Sequence, residues 1–279
     1  MTDLSPTLAK SERPLVASLT RSVSRLSPPE ALLPWLVPAI ILLIWQLGSK
    51  LGFIRPEFLP APSEIFDAAR RLTLSGELPA NIAVSFKRAI SGFLVGGALA
   101  FAFGLLNGLS RLSEKLTDST FQMVRNIPNL ALIPLVILWF GIDEGAKLFL
   151  TAFGVFFPLY INTFHGVRNV DPQLIEMARS YGLSSWSLFR KVILPGALPS
   201  IFVGLRYALG IMWLTLIVSE TIAASSGIGY MATHAREFML VDVVVLAILV
   251  YAALGKLADS TARLLERRTL GWNPVYRKV

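Results

Sequence analysis

The chain has 279 residues, 54% of them hydrophobic and only 16% charged, with a mean hydropathy of +0.61. A soluble globular domain carries about a quarter of its residues as charged side chains, so this composition excludes one and identifies an integral membrane protein. The net charge of +8 falls between and beyond the apolar runs, where it reports topology rather than nucleic-acid binding, and the absence of cysteine rules out disulfides, thiolate metal sites and thiol nucleophiles.

Residues 1–30 are rich in Ser, Thr and Pro with scattered positive charge and are expected to form a flexible tail. A cleaved signal peptide is not expected, because no small-residue cleavage site follows the first apolar run. A bilayer core needs about 20 apolar helical residues. Runs of that kind, free of charge or nearly so, are Ala31–Ser49, Ala89–Ser110, Asn126–Ile142 and Leu148–Val167. Leu198–Ile222 carries Arg206 and Glu220, and Val243–Leu257 carries Lys256, charges that a spanning helix tolerates at its ends or against a partner. The expectation is therefore an all-α polytopic membrane protein of about six transmembrane helices.

Between the first two spans, Ile65, Ala68, Ala69 and Leu72 form an amphipathic stripe, so Pro62–Arg88 is expected to be an interfacial helix. The domain organisation that follows is a tail over 1–30, a first transmembrane helix with an interfacial outer segment over 31–85, a transmembrane domain over 86–266 and a second tail over 267–279.

Orientation comes from Lys and Arg in the connections. One side receives Lys10, Arg13, Arg21, Arg25, Arg111, Lys115, Arg168, Arg179, Arg190, Lys191, Arg263, Arg267, Arg268, Arg277 and Lys278; the other receives mainly Lys50, Arg55, Arg70, Arg71 and Arg236. The richer side is cytoplasmic, which places both termini there.

Two helices carry a small residue at every fourth position: Gly92, Gly96, Ala100, Gly104 and Gly108 in one, Gly196, Ser200, Gly204 and Ala208 in the other. In lipid, close backbone approach over such rows supplies much of the helix packing, and packing within one subunit is expected over a dimer seam. Polar residues inside membrane helices are candidates for a pathway. Arg125, Asn126 and Asn129 cluster at the start of the third span beside Pro128 and Pro134, and Ser219 and Glu220 lie near the end of the fifth. For Glu220 a structural hydrogen-bonding role competes with a gate. The stretch "SSGIGY" at residues 225–230 is expected to be a turn or re-entrant segment.

The polar interruption between the fourth and fifth spans is the strongest local signal. Arg168–Pro195 covers 28 residues, more than a helix connection needs. Asp171 suits an N-cap and Pro172 the first helical position, so a helix is expected from Pro172 to about Tyr181. Gly182 is placed to end it in the left-handed conformation. Ser184 or Ser185 can cap a second helix, "WSLFRKVIL", stopped at Pro195. Leu174, Ile175 and Ala178 on the first, and Trp186, Leu188, Phe189 and Val192 on the second, need a surface to cover them, and a partner groove supplies one.

Glu176, Met177 and Ala178, then Gly182, then Val192, Leu194 and Pro195 resemble the "EAA…G…I-LP" loop of permease subunits of ATP-binding-cassette importers, with Met177 in place of Ala and Val192 in place of Ile. The resemblance extends from about Phe86 to Glu266, and the subgroup is the one importing nitrate, taurine and sulfonates. "MARSYGLSSWSLFRKVILPGALPS" and "LERRTLGWNPVY" are most similar to members that import aliphatic sulfonates. The resemblance implies a type I importer fold in the bacterial inner membrane and a coupling helix, with Glu176, Ala178, Gly182, Leu194 and Pro195 engaging a cytoplasmic ATPase. It also implies an extracytoplasmic substrate-binding protein, two permease copies and two ATPase copies, with taurine, nitrate or another small solute as alternative cargo. Arg125 beside the pore would lower the cost of passing an anion, a role that competes with simple anchoring of the helix at the interface.

The chain itself is not expected to be an enzyme. It lacks the G-x-x-x-x-G-K-[ST] loop that cradles nucleotide phosphates, and His165 and His234 stand apart from any carboxylate cluster at metal spacing, so no cofactor is expected. A secondary transporter, the competing class, would show inverted repeats and paired intramembrane ion ligands; neither is visible in the sequence.

Overall fold

The structure, a computed structural model, describes residues 33–273. The expected tail over 1–30 and the last residues of the second tail lie outside the described residues. The chain divides into two units, Met1–Ser63 and Glu64–Val279. In the first, helix α1 (Leu33–Lys50) carries Pro38 in its interior. The segment after it folds back along the helix: Trp45 Nε1 donates to the Pro60 carbonyl at 3.1 Å, and the Gln46 side chain pairs with both the backbone and the hydroxyl of Ser63, each at 3.1 Å.

Helix α2 (Pro62–Leu74) starts two residues ahead of the second unit, and its apolar stripe is realised with Ile65, Ala68 and Leu72 buried. The expected interfacial helix stops there. Gly76, at φ +80, breaks the chain, and residues 77–88 belong instead to α3 (Glu77–Leu109), a single helix of 33 residues. The span therefore starts twelve residues before the expected Ala89. The charge-free run is bounded by Arg88, whereas a helix continues through an arginine that finds carboxylates inside the protein.

The third span also differs. The expected single helix over 126–142 is the second half of a broken pass. This pass comprises α4 (Arg111–Val124), a short 3-10 turn (Asn129–Leu132) and α5 (Ile133–Phe140), with the two halves bent by 82°. Pro128 lacks the N–H that would continue α4 and restricts the residue before it, so the chain leaves the helix at Arg125–Pro128. Helix α6 (Glu144–Arg168) follows, then α7 (Pro172–Ser180) and α8 (Ser185–Leu188). A π-helical turn (Phe189–Ile193) leads into α9 (Leu194–Ala223), followed by α10 (Ile228–Glu237) and α11 (Val241–Thr269). Helix α11 runs past the expected tail boundary at 267. Among the described residues four helices are long and apolar enough to cross a membrane, five passes if the bent pair is one; α1 is a further, shorter apolar helix.

Both small-residue rows are used within the subunit. A Cβ at Gly92 would meet Thr151 at 2.6 Å, at Gly96 the Ala152 backbone at 2.2 Å, at Gly104 Thr163 at 2.7 Å and at Gly108 Val167 at 2.7 Å. The partners advance along α6 as the glycines advance along α3, so the two helices run parallel, backbone against backbone. The other row faces α6 in the opposite sense: Gly204 abuts Asn162, Gly166 abuts Ala197 and Ser200, and Gly154 abuts Thr215. Helix α6 is thus the centre of the bundle. At one end a polar cluster ties α3, α4 and α6: Asn107 donates to Thr117 Oγ1 and to the Tyr160 hydroxyl at 2.8 Å each, and accepts from Ser113 at 2.5 Å.

Candidate functional site

Residues 168–195 form the expected helix, glycine turn and helix. Asp171 accepts from the Gln173 N–H at 2.8 Å, with Pro172 in the first turn. Gly182 has φ +73; its N–H donates to the Arg179 carbonyl at 2.9 Å, and the Leu183 N–H donates to the Ala178 carbonyl at 3.1 Å. This is the double bond pattern of a Schellman C-terminus. Ser184 then caps the second helix by accepting from Ser187 N–H at 3.3 Å. Ala178 and Leu188 are buried, which holds the two short helices together. Leu174, Met177, Tyr181 and Trp186 remain exposed, the last two at 79% and 68%, and Glu176 is exposed beside them.

Pro195 does not stop the second helix. Ser185–Ile222 is continuous over 38 residues, because the π turn at Phe189–Ile193 widens the helix ahead of the proline, and Leu194 and Pro195 sit in the first turn of α9. Inside a continuous helix the proline forfeits one backbone hydrogen bond, and the wider π turn ahead of it leaves room for its ring. The exposed loop helix and the membrane-crossing α9 are therefore one continuous helix of 38 residues, about 57 Å along its axis at 1.5 Å per residue.

The pathway candidates are dispersed. Arg125 and Asn126 are exposed at the break between α4 and α5. Arg125 makes no ion pair with the described residues, whereas the Asn126 side chain donates back to the Gln122 carbonyl at 2.8 Å. Asn129 is instead drawn into the bundle, donating to Thr215 Oγ1 at 3.1 Å and the Leu150 carbonyl at 3.4 Å. Ser219 and Glu220, expected as pathway residues, are each 1% exposed and belong to packing rather than to an open route.

Glu220 is the hub of a network that the sequence reading missed. Its carboxylate accepts from Arg88 Nη1 at 2.8 Å, from Ser85 Oγ at 2.7 Å, from the Tyr251 hydroxyl at 2.8 Å and from the Gly229 N–H at 3.0 Å. The last bond places the carboxylate at the N-terminus of α10, where the helix dipole also favours it. Arg88 continues outward, pairing both remaining nitrogens with Glu144 at 2.5 and 2.6 Å and reaching the Ser226 carbonyl at 2.6 Å. Lys147 Nζ also reaches Glu144, at 3.2 Å. One network thus ties α3, α6, α9, α10 and α11, and the "SSGIGY" stretch opens a packed helix rather than a free turn. A buried charge is tolerated only when paired and hydrogen-bonded, and here every strong donor has an acceptor. The available signal was one positive and two negative charges, Arg88 with Glu144 and Glu220, each at the margin of an apolar run.

Known proteins share this sequence and this architecture. The chain is 60% identical over 243 residues, 87% of its length and 92% of the relative's, to a protein of Escherichia coli named as an aliphatic sulfonates transport permease, SsuC. It is 46% identical over 241 residues, covering 86% and 87% of the two chains, to the protein of Bacillus subtilis bearing the same name. The solved structure of an amino acid ABC transporter with histidines shares the fold, with a TM-score of 0.54 at 17% identity, covering 72% of this chain and 97% of that one. Residues 92–271 match the family described as binding-protein-dependent transport system inner membrane component. The chain belongs to that family: it is a multi-pass inner-membrane permease subunit of an ABC importer, a transport component rather than an enzyme, working with an ATPase and a substrate-binding protein.

Proposed function

We propose that this permease carries aliphatic sulfonates, and that residues 168–195 are the element through which an ATPase drives it. The observation that carries the mechanism is the continuity of α8 with α9: a displacement applied to the exposed loop would be passed along one unbroken helix into the membrane. Glu176 and Gly182 would meet the ATPase, Ala178, expected at that contact, is buried and would instead hold the two loop helices together, and Leu194 and Pro195 would transmit the motion into α9. Exposed Leu174, Met177, Tyr181 and Trp186 supply the apolar surface that a groove recognises. The cargo follows from the names of the two relatives, at 60% and 46% identity. An exposed Arg125 at the break of a membrane pass would face an anion in transit. The loop and both termini lie on the cytoplasmic side by their Lys and Arg content, and two copies of the permease would enclose the path, with two ATPases and one binding protein.

The test is growth of a strain lacking its own sulfonate permease, with an alkanesulfonate as sole sulfur source, carrying this chain with or without its ATPase. Growth that requires both supports the reading. Growth without the ATPase would point to a secondary transporter, and growth on taurine but not on alkanesulfonates would overturn the cargo assignment. Orientation is checked separately with Ser184→Cys in this cysteine-free chain: an impermeant thiol reagent applied to intact cells should leave it unlabelled.

A further inference from the structure

We infer that the crevice between α3 and α6 is a binding site for one anionic phospholipid, held by Lys87 at its mouth and by a phenylalanine-lined trough along its length. Two adjoining cavities make up the crevice. One, of about 400 Å³, is lined by Val84, Lys87, Arg88, Ser91, Glu144 and Ser226, together with Gly145 and Leu148. The other, of about 370 Å³, is entirely apolar, formed by Val95, Leu99, Phe149, Phe153 and Phe156 with neighbouring small residues. Gly145 and Leu148 line both, so the polar mouth opens directly into the apolar trough.

Length and charge together choose the occupant. From Lys87 to Leu99 is twelve residues of α3, about 18 Å at 1.5 Å per residue. Half of a hydrocarbon core about 30 Å thick is about 15 Å. The crevice is therefore as long as one leaflet is deep, polar at the helix end and apolar toward the middle. The charges at the mouth are unequal: Arg88 is matched by Glu144 and Glu220, and Glu144 also by Lys147. Lys87 is exposed and has no ion-pair or hydrogen-bond partner among the described residues. A phosphodiester supplies the missing anion, with the Ser91 hydroxyl beside it, and an acyl chain fills the trough. A short alkanesulfonate has the same two chemical ends but not the length.

The experiment titrates phosphatidylglycerol and, separately, phosphatidylcholine into the permease purified with its ATPase, reading bound lipid by native mass spectrometry. One phosphatidylglycerol should be retained in preference to phosphatidylcholine. Lys87→Gln should weaken that preference about fivefold, the loss of one basic residue facing anionic lipid, while Lys87→Arg keeps it. Val95→Trp, at a position 46% exposed on the trough, should displace the lipid without disturbing the fold. Equal retention by Lys87→Gln and the unaltered chain would overturn the assignment. So would crosslinking of two copies through Val95→Cys, which would make a second subunit the occupant. Displacement of the lipid by millimolar octanesulfonate at unchanged Lys87 would assign the crevice to cargo instead.

Discussion

Gly182 and Gly227 make the same conformational demand in opposite surroundings. Both have positive φ, +73 and +108, and both open onto a short helix. Around Gly182 no other described atom lies within 4 Å of where a Cβ would stand, whereas at Gly227 a Cβ would meet Glu220 Oε1 at 2.5 Å and Arg88 Nη1 at 2.7 Å. The first glycine sits on an open surface, the one we propose an ATPase covers; the second is the wall of a filled ion site. Positive φ therefore stands in open space in one place and in internal packing in the other, and only the neighbours tell them apart.

The largest expected effect comes from emptying the filled site. Glu220→Ala leaves Arg88, whose side chain is 7% exposed, without its buried partner, a loss of about 3–5 kcal/mol. It should appear as a lower unfolding midpoint in detergent and reduced membrane abundance; an unchanged midpoint would remove the network from the account of stability. Next comes Gly227→Ala. Backbone strain of about 1–3 kcal/mol at φ +108, ψ 170, a region essentially reserved for glycine, adds to the displacement of Arg88 and Glu220, so abundance should fall again, though less.

The exposed glycine should behave differently. Gly182→Val carries similar strain of about 1–2 kcal/mol, but in a loop outside the bundle, so the permease should remain abundant while ATPase capture and labelled sulfonate uptake are lost. Gly182→Ala should be milder. Full capture and uptake by the Val variant would sink the coupling assignment, and a collapse in abundance would erase the contrast with Gly227. Asp171→Ala removes the cap of α7, about 1 kcal/mol, and should reduce capture in part at constant abundance. The smallest structural effect belongs to Arg125, which makes no ion pair among the described residues. Arg125→Lys should retain more uptake than Arg125→Gln at equal abundance, and equal uptake would confine Arg125 to anchoring the helix.

The sequence alone was sufficient wherever the governing interactions are local. Asp171, Pro172, Gly182 and Ser184 each act on backbone groups within a few residues, so the loop could be read from spacing, and the length of apolar runs followed from bilayer thickness. The stripe of Ile65, Ala68 and Leu72 was legible for the same reason. Tertiary structure decided what depends on distant partners. Arg88 looks like the end of a span until Glu144, 56 residues away on α6, and Glu220, 132 residues away on α9, are brought to it by the packing of those two helices beside α3. Pro195 looks like a stop until the π turn before it relieves the backbone. Asn126–Ile142 looks like one helix until the chain turns by 82° to place Asn129 between α6 and α9. In each case the residue's chemistry was visible beforehand, but the group that satisfies it was fixed only by the fold.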